Sequence, residues 1–381
     1  MTKPQNILTL HHPSTLIIGI QAPYNKTSNI QAYYDEFLNL LKTCGITHDK
    51  ALFIKLNTVD PKTFLTTGKL EELDELCQKN SFEDVYISEP LTAKQARNLE
   101  DYLHRTIFDR TDLILNIFKK AAVSAEGKAQ VEIAMLEHEK TRLAGKGIFL
   151  SQQRGGISIG GATIKSGPGE TLKEREKRFF NVKIQQIKKL LESLKTKRDT
   201  QRKQRIQSGT PQICLIGYTN AGKSTILNTL TKAQVLAEDR LFATLDTTTR
   251  ELFIDNKKKG LLSDTVGFIQ YLPHNLIEAF KSTLSELQYA DLLLQVIDCS
   301  DIEWQSHIAV VHEILDELGV QKPLLYVFNK IDKLNPEVQE EFKNAAQKFQ
   351  PHVFIQATSK TGIKSLIEYL ATWHPEKKAA T

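Results

Sequence analysis

Cysteine is scarce in this sequence of 381 residues, which contains only Cys44, Cys77, Cys214 and Cys299. Four cysteines this far apart cannot form a disulfide framework, and they share no metal-ligand spacing. Free thiols are typical of a reducing compartment, so we expect a cytoplasmic protein. Long apolar runs are missing as well, since none approaches the roughly 18 residues that span a bilayer. The residues from Met1 to Leu10 also lack the charged and then apolar order of a secretory signal.

Extremes of composition are absent too. Apolar residues make up 40% of the chain and charged residues 25%, which are ordinary values that argue against global disorder. The formal net charge of +5 permits an acidic partner without requiring one. At roughly 150 residues per domain, the length predicts two or three domains, and we expect the protein to be a monomer.

The first part of the chain alternates between strand-like and helix-like segments. The predicted strands are 15–22, 51–56 and 84–88, and the predicted helices are 29–44, 69–79 and 93–104. Gly45 is expected to end the first helix. This alternation is typical of a small α/β domain with a largely parallel sheet, which we assign to residues 1–120.

The middle of the chain, residues 121–206, predicts a helical arm. Residues 121–143 contain few turn signals and predict one long helix, whereas eight of the 19 glycines fall in the loop at 145–169. A second helix is predicted from a capping box at Thr171–Glu174 to about Gln207. We expect it to pack against the first helix as a hairpin, because its apolar residues follow a short heptad pattern. The heptad positions are Phe180, Ile184, Ile187, Leu191 and Leu194.

Basic residues are concentrated in this arm. The segment 165–205 contains 14 Lys or Arg residues and five Asp or Glu residues. Two interpretations remain open. One is a solvated helix face, and the other is a nucleic-acid contact, which the neighbouring glycine-rich loop favours somewhat.

Strand and helix signals alternate again after Pro211. The strands are predicted at 212–217, 250–254, 260–264, 292–298, 323–329 and 352–357. Six strands at this spacing are typical of one doubly wound domain, which we assign to residues 207–375, followed by a short tail at 376–381. The predicted fold class is therefore α/β, with a mainly parallel six-stranded sheet preceded by the smaller α/β domain and the helical arm.

A phosphate-binding loop follows the first strand of this domain. The pattern Gly-x4-Gly-Lys-Ser lies between an apolar strand and a helical segment, which is the context that the motif requires. Its glycines let backbone N–H groups surround phosphate oxygens, and the N-terminus of the next helix favours an anion. Lys223 is expected to reach the β- and γ-phosphates, and Ser224 to bind Mg²⁺. The predicted binding residues of this loop are Gly217, Tyr218, Thr219, Asn220, Ala221, Gly222, Lys223, Ser224 and Thr225.

Three further motifs follow in order, each near the end of a predicted strand. Asp264-Thr265-Val266-Gly267 is expected to approach Mg²⁺ and the γ-phosphate. In Asn329-Lys330-Ile331-Asp332, the Asp332 carboxylate can accept hydrogen bonds from two guanine donors that adenine lacks. Thr358-Ser359-Lys360 follows the last strand, where a loop can close over the base. Together the four motifs predict a site for GTP and GDP.

These motifs resemble those of translation-factor-class GTPases and, among them, the HflX family. The segment from Phe242-Ala243-Thr244-Leu245-Asp246 to Arg250 is similar to the family's first switch, and 264–269 is similar to its second. The resemblance implies that residues 242–246 contact the nucleotide. By this resemblance, Thr244 takes the place of the switch threonine that binds Mg²⁺ and senses the γ-phosphate, while Thr247 stands where the family usually has proline. Further similar segments are 68–73, 96–100, 109–115, 127–132 and 167–171.

The resemblance implies a ribosome-associated GTPase whose cofactor is Mg²⁺, with Ser224 and Thr244 as metal ligands. It also implies binding to the large ribosomal subunit and its ribosomal RNA, and a role in splitting or rescuing stalled ribosomes or in ribosome biogenesis. Two alternatives stay open. One is a GTP-dependent chaperone or maturation factor for ribosomal RNA, and the other is a non-catalytic GTP-sensing switch that recruits a protein partner.

The sequence identifies no catalytic group. Many GTPases place a glutamine directly after Asp-x-x-Gly to orient the attacking water, but this chain has Phe268 there. We expect Phe268 to pack in the core, intrinsic hydrolysis to be slow, and a partner to accelerate it by ordering the switches. His274 lies seven residues beyond Gly267 and is expected to be structural or exposed.

Overall fold

A computed structural model describes residues 13–25, 29–143, 172–207, 209–231, 241–242, 244–270 and 284–375. Several features discussed above lie outside these residues, namely the glycine-rich loop at 145–169, Thr171, Ala243, His274 and the tail at 376–381. The chain divides into two units. One is made of residues 1–114 and 138–177, and the other of residues 115–137 and 178–381.

The first unit is built on a parallel sheet with the strand order β2-β1-β3-β4. Its elements are β1 (Thr15–Gln21), α1 (Ile30–Cys44), β2 (Lys50–Lys55), α2 (Thr67–Asn80), β3 (Asp84–Ile87), α3 (Ala93–Leu103) and β4 (Thr106–Phe108). Apolar residues of β1 and β3 form one buried core with residues of α2 and α3. Gly45 ends α1 with a φ of 73°, as predicted. The predicted alternation of strands and helices is confirmed, and so is the parallel sheet.

Two elements after α3 were absent from the sequence-based prediction. These are β4, with three residues, and α4, which spans Arg110–Ala121. The helix predicted from residue 121 is also wrong at its start, because α5 spans Ala125–Leu143. Ser124 sets this start, since its hydroxyl accepts a hydrogen bond from the Gly127 N–H at 2.8 Å and so satisfies a donor of the first helical turn.

The arm consists of α5 and α6, and α6 spans Leu172–Gln207. In the second unit, Ile133 and Leu136 of α5 are buried against Ile184 of α6. The heptad residues Phe180, Ile187 and Leu191 pack around this cluster. Two ion pairs flank it, Lys183 with Glu132 at 3.1 Å and Lys188 with Glu137 at 3.3 Å. The predicted packing of the second helix on the first is therefore confirmed.

The second unit contains the predicted six-stranded sheet, in the order β10-β9-β8-β5-β7-β6. Its strands are β5 (Gln212–Gly217), β6 (Thr248–Ile254), β7 (Lys257–Asp264), β8 (Leu292–Asp298), β9 (Leu324–Asn329) and β10 (His352–Phe354). Its helices are α7 (Lys223–Thr231), α8 (Trp304–Glu317), α9 (Pro336–Ala346) and α10 (Lys364–Thr372), with short 3-10 helices at Ser285–Tyr289 and Ile331–Lys333. β6 pairs antiparallel with β7, and the other pairs are parallel.

The parallel strands bring their carboxyl ends to one edge of this sheet. Gly217, Asp264, Asp298 and Asn329 are the last residues of β5, β7, β8 and β9. Below them lies a core of aliphatic residues from these strands, α7 and α10. The four motifs therefore lie at this edge of the sheet, above a packed core.

Over the part of the chain that the structure describes, no helix combines the length and the apolar character that crossing a membrane requires.

Candidate nucleotide site

The phosphate loop is the turn between β5 and α7. Gly217 and Gly222 have φ angles of 145° and 99°, in the region that favours glycine. A side chain at Gly217 would collide with the Val296 carbonyl of β8, and one at Gly222 would collide with the side-chain amide of Asn329. Both glycines of the motif are therefore required by the neighbouring strands as well as by the turn.

Lys223 is buried at the start of α7. Its Nζ donates hydrogen bonds to the carbonyl oxygens of Tyr218 at 2.7 Å and Gly217 at 3.2 Å. Burial lowers the pKa of Lys223 to about 8, and the Asp264 carboxylate opposes this shift. A phosphate group would supply the negative charge that a poorly solvated ammonium needs, so the site is built to gain from an anionic ligand.

Ser224, Thr244 and Asp264 bring three side-chain oxygens together. Ser224 Oγ donates to Asp264 Oδ2 at 2.5 Å, Thr244 Oγ1 donates to the same oxygen at 3.1 Å, and the two hydroxyls lie 2.8 Å apart. Burial raises the pKa of Asp264, and the charge of Lys223 opposes the shift. The other carboxyl oxygen, Oδ1, is buried and has no hydrogen-bond partner among the described residues. Oxygen donors of this kind fit Mg²⁺.

The segment after β7 is fastened to the phosphate loop. The Phe268 N–H donates to the Gly217 carbonyl at 3.1 Å, and the Thr219 N–H donates to the Phe268 carbonyl at 2.8 Å. Gly267 lies close to the same loop, since a Cβ built there would be 3.0 Å from Lys223 Nζ. Phe268 is 1% exposed, so the expectation that it packs in the core is confirmed. Its ring cannot orient a water molecule by hydrogen bonding.

The neighbouring residues of these two loops support them. The Thr265 hydroxyl donates to the Leu215 carbonyl of β5 at 2.7 Å, and Val266 is buried. The Tyr218 hydroxyl accepts a hydrogen bond from the Gln270 N–H at 2.8 Å, and the Tyr218 ring stacks on His307 at 3.7 Å between centroids. Tyr218 thus connects the phosphate loop to the residues that follow Phe268.

Asn329 joins the base-recognition motif to the phosphate loop. Its Nδ2 donates to the Ala221 carbonyl at 2.9 Å, and its Oδ1 accepts from the Ala357 N–H at 3.0 Å. The side chain is buried, and both ends of its amide are used. One residue therefore fixes the loops on either side of β9.

Lys330 and Asp332 complete the base-recognition motif. Lys330 has a φ of 62°, donates to the Asn220 carbonyl at 2.9 Å and forms an ion pair with Asp298 at 2.6 Å. Ile331 begins the 3-10 helix, and Asp332 lies within it with an exposed side chain. The Asp332 carboxylate is therefore accessible to a base.

The loop at 358–360 follows β10. The Ser359 hydroxyl accepts a hydrogen bond from the Gly362 N–H at 3.1 Å, and the Gln356 N–H donates to the Gly362 carbonyl at 2.9 Å. Thr358 and Lys360 are exposed. Because Ala357 is bound to Asn329, this loop begins beside the base-recognition motif.

The first switch is held at several points. The buried ring of Phe242 packs edge to face on Phe118, with 4.7 Å between centroids. Thr244 contacts Ser224 and Asp264 as described, and Leu245 is buried. The Asp246 carboxylate lies against the start of α5, where it accepts hydrogen bonds from the Val123 N–H at 2.8 Å and the Ser124 N–H at 2.7 Å.

Phe118 and Ser124 are functional candidates that the sequence did not identify. A serine three residues before Gly127, at the start of a helical pattern, is a recognisable N-cap signal. That signal predicts the helix start, but it does not identify Asp246 as the partner.

A second polar cluster lies in the first unit. The N–H groups of Asp109 and Asp112 each donate to the other residue's carboxylate at 2.9 Å, so the pair caps the start of α4. His138 and Arg142 of α5 both lie 2.8 Å from Asp112. Burial raises the pKa of Asp109 to about 6, and the Asp112 charge adds to this. Arg142 already supplies the positive charge, so this cluster is explained as a cap for α4 and an anchor for α5.

Three family models match the chain. Their descriptions are GTP-binding GTPase N-terminal for residues 31–119, GTP-binding GTPase Middle Region for residues 121–205, and 50S ribosome-binding GTPase for residues 212–330.

Several curated proteins named GTPase HflX are similar over most of the chain. The protein from Lacrimispora saccharolytica is 42% identical over 339 residues, which covers 89% of this chain and 78% of the relative. The Escherichia coli K12 protein is 39% identical over 339 residues, with 88% and 77% covered. The Chlamydia pneumoniae protein is 36% identical over 364 residues, with 94% and 76% covered.

Among solved structures, the complex of SsGBP with GDP has a TM-score of 0.51 and 24% sequence identity, and the match covers 94% of this chain and 97% of that one. This likeness concerns the fold.

Proposed function

This chain belongs to the HflX family of GTPases, and from that premise we propose that it hydrolyses GTP while bound to the large ribosomal subunit. Family membership makes the chain a GTP-hydrolysing enzyme that binds GTP and GDP. The observation that carries the proposal is the meeting of Ser224, Thr244 and Asp264 beside the buried ammonium of Lys223. This set matches the chemistry of a magnesium-bound triphosphate.

Different residues of the site would contact the phosphates and the Mg²⁺ ion. Lys223 would exchange its two backbone carbonyl partners for oxygens of the β- and γ-phosphates, and Gly267 would offer its N–H to the γ-phosphate. Ser224 and Thr244 would hold Mg²⁺ directly, and Asp264 would hold it through water or by orienting the two hydroxyls. When bound, Mg²⁺ neutralises charge on the phosphate oxygens.

Base selection is assigned to the residues after β9. Asp332 would accept hydrogen bonds from guanine N1–H and the exocyclic amine, and the stem of Lys330 and the loop at 358–360 would border the base. Adenine offers no donor at these two places and would leave the carboxylate without partners.

Hydrolysis requires a water molecule in line with the γ-phosphorus. Phe268 replaces the usual glutamine and is packed in the core. We expect slow hydrolysis by the free protein, and acceleration when the ribosome orders the switches.

The ribosome is proposed as the partner because of the family description 50S ribosome-binding GTPase and because of the basic arm. Lys177 and Arg178 are exposed on α6, and the basic excess of the arm favours contact with RNA phosphates. We infer that the protein acts as a monomer in the cytoplasm and splits or rescues stalled ribosomes. The same basic surface also favours a second candidate, a maturation factor for ribosomal RNA.

Co-sedimentation with ribosomes tests the proposal. In the presence of a non-hydrolysable GTP analogue, the protein should sediment with the large subunit, and GDP should release it. Binding to intact ribosomes followed by their separation into subunits supports splitting, whereas binding only to free large subunits supports maturation. Absence of ribosome and RNA binding at moderate salt would contradict both and favour a recruitment switch.

Magnesium titration tests the metal ligands. Ser224→Ala should weaken Mg²⁺-dependent nucleotide binding, and Thr244→Ala should slow ribosome-stimulated hydrolysis. Thr372→Ala, which removes an exposed hydroxyl at the end of α10, is the matched control and should change neither. If Thr244→Ala hydrolyses GTP at the normal rate in the presence of ribosomes, the Mg²⁺ ligand is instead Thr247 or Thr248.

A further inference from the structure

The Asp246 carboxylate ties the first switch to the arm helix α5. Oδ2 accepts hydrogen bonds from the N–H groups of Val123 at 2.8 Å and Ser124 at 2.7 Å, and Oδ1 accepts one from the Ser124 hydroxyl. The same hydroxyl accepts from the Gly127 N–H at 2.8 Å and thereby caps α5. All of these groups belong to the second unit.

The start of α5 is suited to a carboxylate. The first N–H groups of a helix have no partners within it, and the helix dipole favours an anion there. Gly127 is the third residue of α5, and a Cβ at that position would collide with the Asp246 carboxylate. Glycine is a poor helix former, but at position 127 a better one such as alanine would displace Asp246.

A second contact holds the other end of the same segment. Phe242 packs edge to face on Phe118, and Thr244 lies between the two anchored residues. Phe118, like Ser124, precedes α5 in the chain. Phe242 and Asp246 are thus anchored on either side of the threonine that contacts Ser224 and Asp264.

We infer that Asp246 is a positioning residue that presents Thr244 to the metal and the γ-phosphate, and that α5 thereby sets the preference of this enzyme for GTP over GDP. The inference rests on the proposed role of Thr244. Anchoring the segment at α5 and binding it at the metal both restrict the same few backbone angles. Once one of these contacts has formed, the other therefore costs less conformational entropy.

The coupling between the first switch and α5 extends to α6, the other helix of the arm. α5 is the helix whose Ile133 and Leu136 pack on Ile184 of α6. A partner that binds one conformation of the arm preferentially would therefore change the affinity of the protein for GTP. By linkage, GTP would change the affinity for that partner by the same factor.

Nucleotide titration of the full chain tests the inference. Asp246→Ala should lower the affinity for a non-hydrolysable GTP analogue with Mg²⁺ by about tenfold, the size expected when charge-assisted hydrogen bonds are removed. Its affinity for GDP should stay unchanged, because the proposed contact of Thr244 requires the γ-phosphate. Gly127→Ala should reproduce the effect while keeping every hydrogen-bonding group. Ser124→Ala should have a smaller effect, and Ser124→Thr should restore the wild-type ratio because threonine also caps helices.

Hydrogen exchange gives a readout that a purely structural role would not change. The GTP analogue should increase protection of the amides of residues 121–128 in the wild type, and this nucleotide dependence should vanish in Asp246→Ala. Asp316→Ala, which removes an exposed aspartate at the end of α8, is the matched control and should behave like the wild type.

The variants separate this inference from the proposed site. If Lys223→Ala binds both nucleotides more weakly while Asp246→Ala and Gly127→Ala keep the wild-type ratio of analogue to GDP affinity, the inference is overturned and the site stands. If Lys223→Ala binds both nucleotides normally, the proposed site fails and the inference fails with it.

Discussion

Asn329 and Ala221 are joined by a hydrogen bond of 2.9 Å between the side-chain amide of the first and the carbonyl oxygen of the second. The other end of the same amide accepts a hydrogen bond from the Ala357 N–H at 3.0 Å. Asn329 is 2% exposed, so water cannot replace either partner without rearrangement. The phosphate loop and the loop that closes over the base are therefore aligned by one side chain.

Replacing Asn329 by alanine should affect both loops at once. We expect the free energy of unfolding to fall by about 2 kcal/mol, because a buried donor and acceptor lose their partner. Affinity for GTP and for GDP should fall together, since the loops serve both nucleotides. Denaturant unfolding and titration with a fluorescent nucleotide measure the two effects. Asn80→Ala, which removes an exposed hydrogen bond to the Leu76 carbonyl in the first unit, is the matched control, and an Asn329→Ala protein as stable as this control would contradict the bridging role.

Base choice should depend on Asp332. Asp332→Asn exchanges a carboxylate acceptor for an amide that can donate, and xanthine carries a carbonyl where guanine carries an amine. The variant should bind GTP more weakly and xanthosine triphosphate more tightly than the wild type. Competition between the two nucleotides for one fluorescent probe measures the change. Asp301→Asn, in the turn before α8, should leave the preference for GTP intact, and unaltered GTP affinity in Asp332→Asn would reject the assignment.

The buried position of Lys223 predicts a pH dependence of nucleotide binding. Burial lowers its pKa in the free protein to about 8, whereas phosphate oxygens favour the charged form and would raise the pKa in the complex. Above about pH 8 the free lysine is neutral, so binding must take up a proton and affinity should fall as pH rises. The effect of pH on folding stability has the opposite sign to its effect on nucleotide affinity. The unfolded state binds more protons between about pH 8 and pH 10.4, so the contribution of Lys223 to stability increases with pH in that window.

Calorimetry in buffers of different ionisation enthalpy detects this proton uptake. At pH 8.5 the wild type should show a buffer-dependent binding enthalpy. Lys223→Ala should bind more weakly and lack that contribution, while it keeps every other titratable group. Equal proton uptake by the two proteins would show that another group titrates.

The sequence was sufficient to predict the nucleotide-binding fold because its signals are local. Each motif follows a strand whose apolar run is visible by itself, and the carboxyl ends of parallel strands share one edge. β4 was missed for the opposite reason. Its three residues are too few for a periodic pattern, and it becomes a strand by pairing with β3, where Val85 lies opposite Ile107.

The contacts of the first switch could not be predicted from local sequence patterns either. Ser124 and Asp246 are 122 positions apart, and nothing near either residue indicates the other. The sequence placed Asp246 among the nucleotide-binding residues through its neighbours in the switch. The structure adds the partner of its carboxylate, which changes the role proposed for it from ligand contact to positioning.

The basic residues at the start of α6 are expected to bind ribosomal RNA. Replacing Lys173, Arg175, Lys177 and Arg178 by alanine should weaken ribosome binding and reduce its dependence on salt. For each RNA phosphate that is no longer neutralised, the slope of log affinity against log salt should fall by roughly 0.7 to 0.9. Affinity for GTP should not change, because the nucleotide site lies at the edge of the six-stranded sheet. Co-sedimentation at several salt concentrations gives the slope.

A charge-matched control distinguishes a specific contact from general attraction. Replacing Lys322, Lys343, Lys348 and Lys364 of the nucleotide domain by alanine removes the same charge from another surface, and this variant should keep the wild-type slope. If both variants lose affinity equally, the attraction comes from net charge and the arm has no special contact. If the α6 variant binds ribosomes like the wild type at every salt concentration, these side chains only solvate their helix, and the RNA contact must be sought elsewhere in the chain.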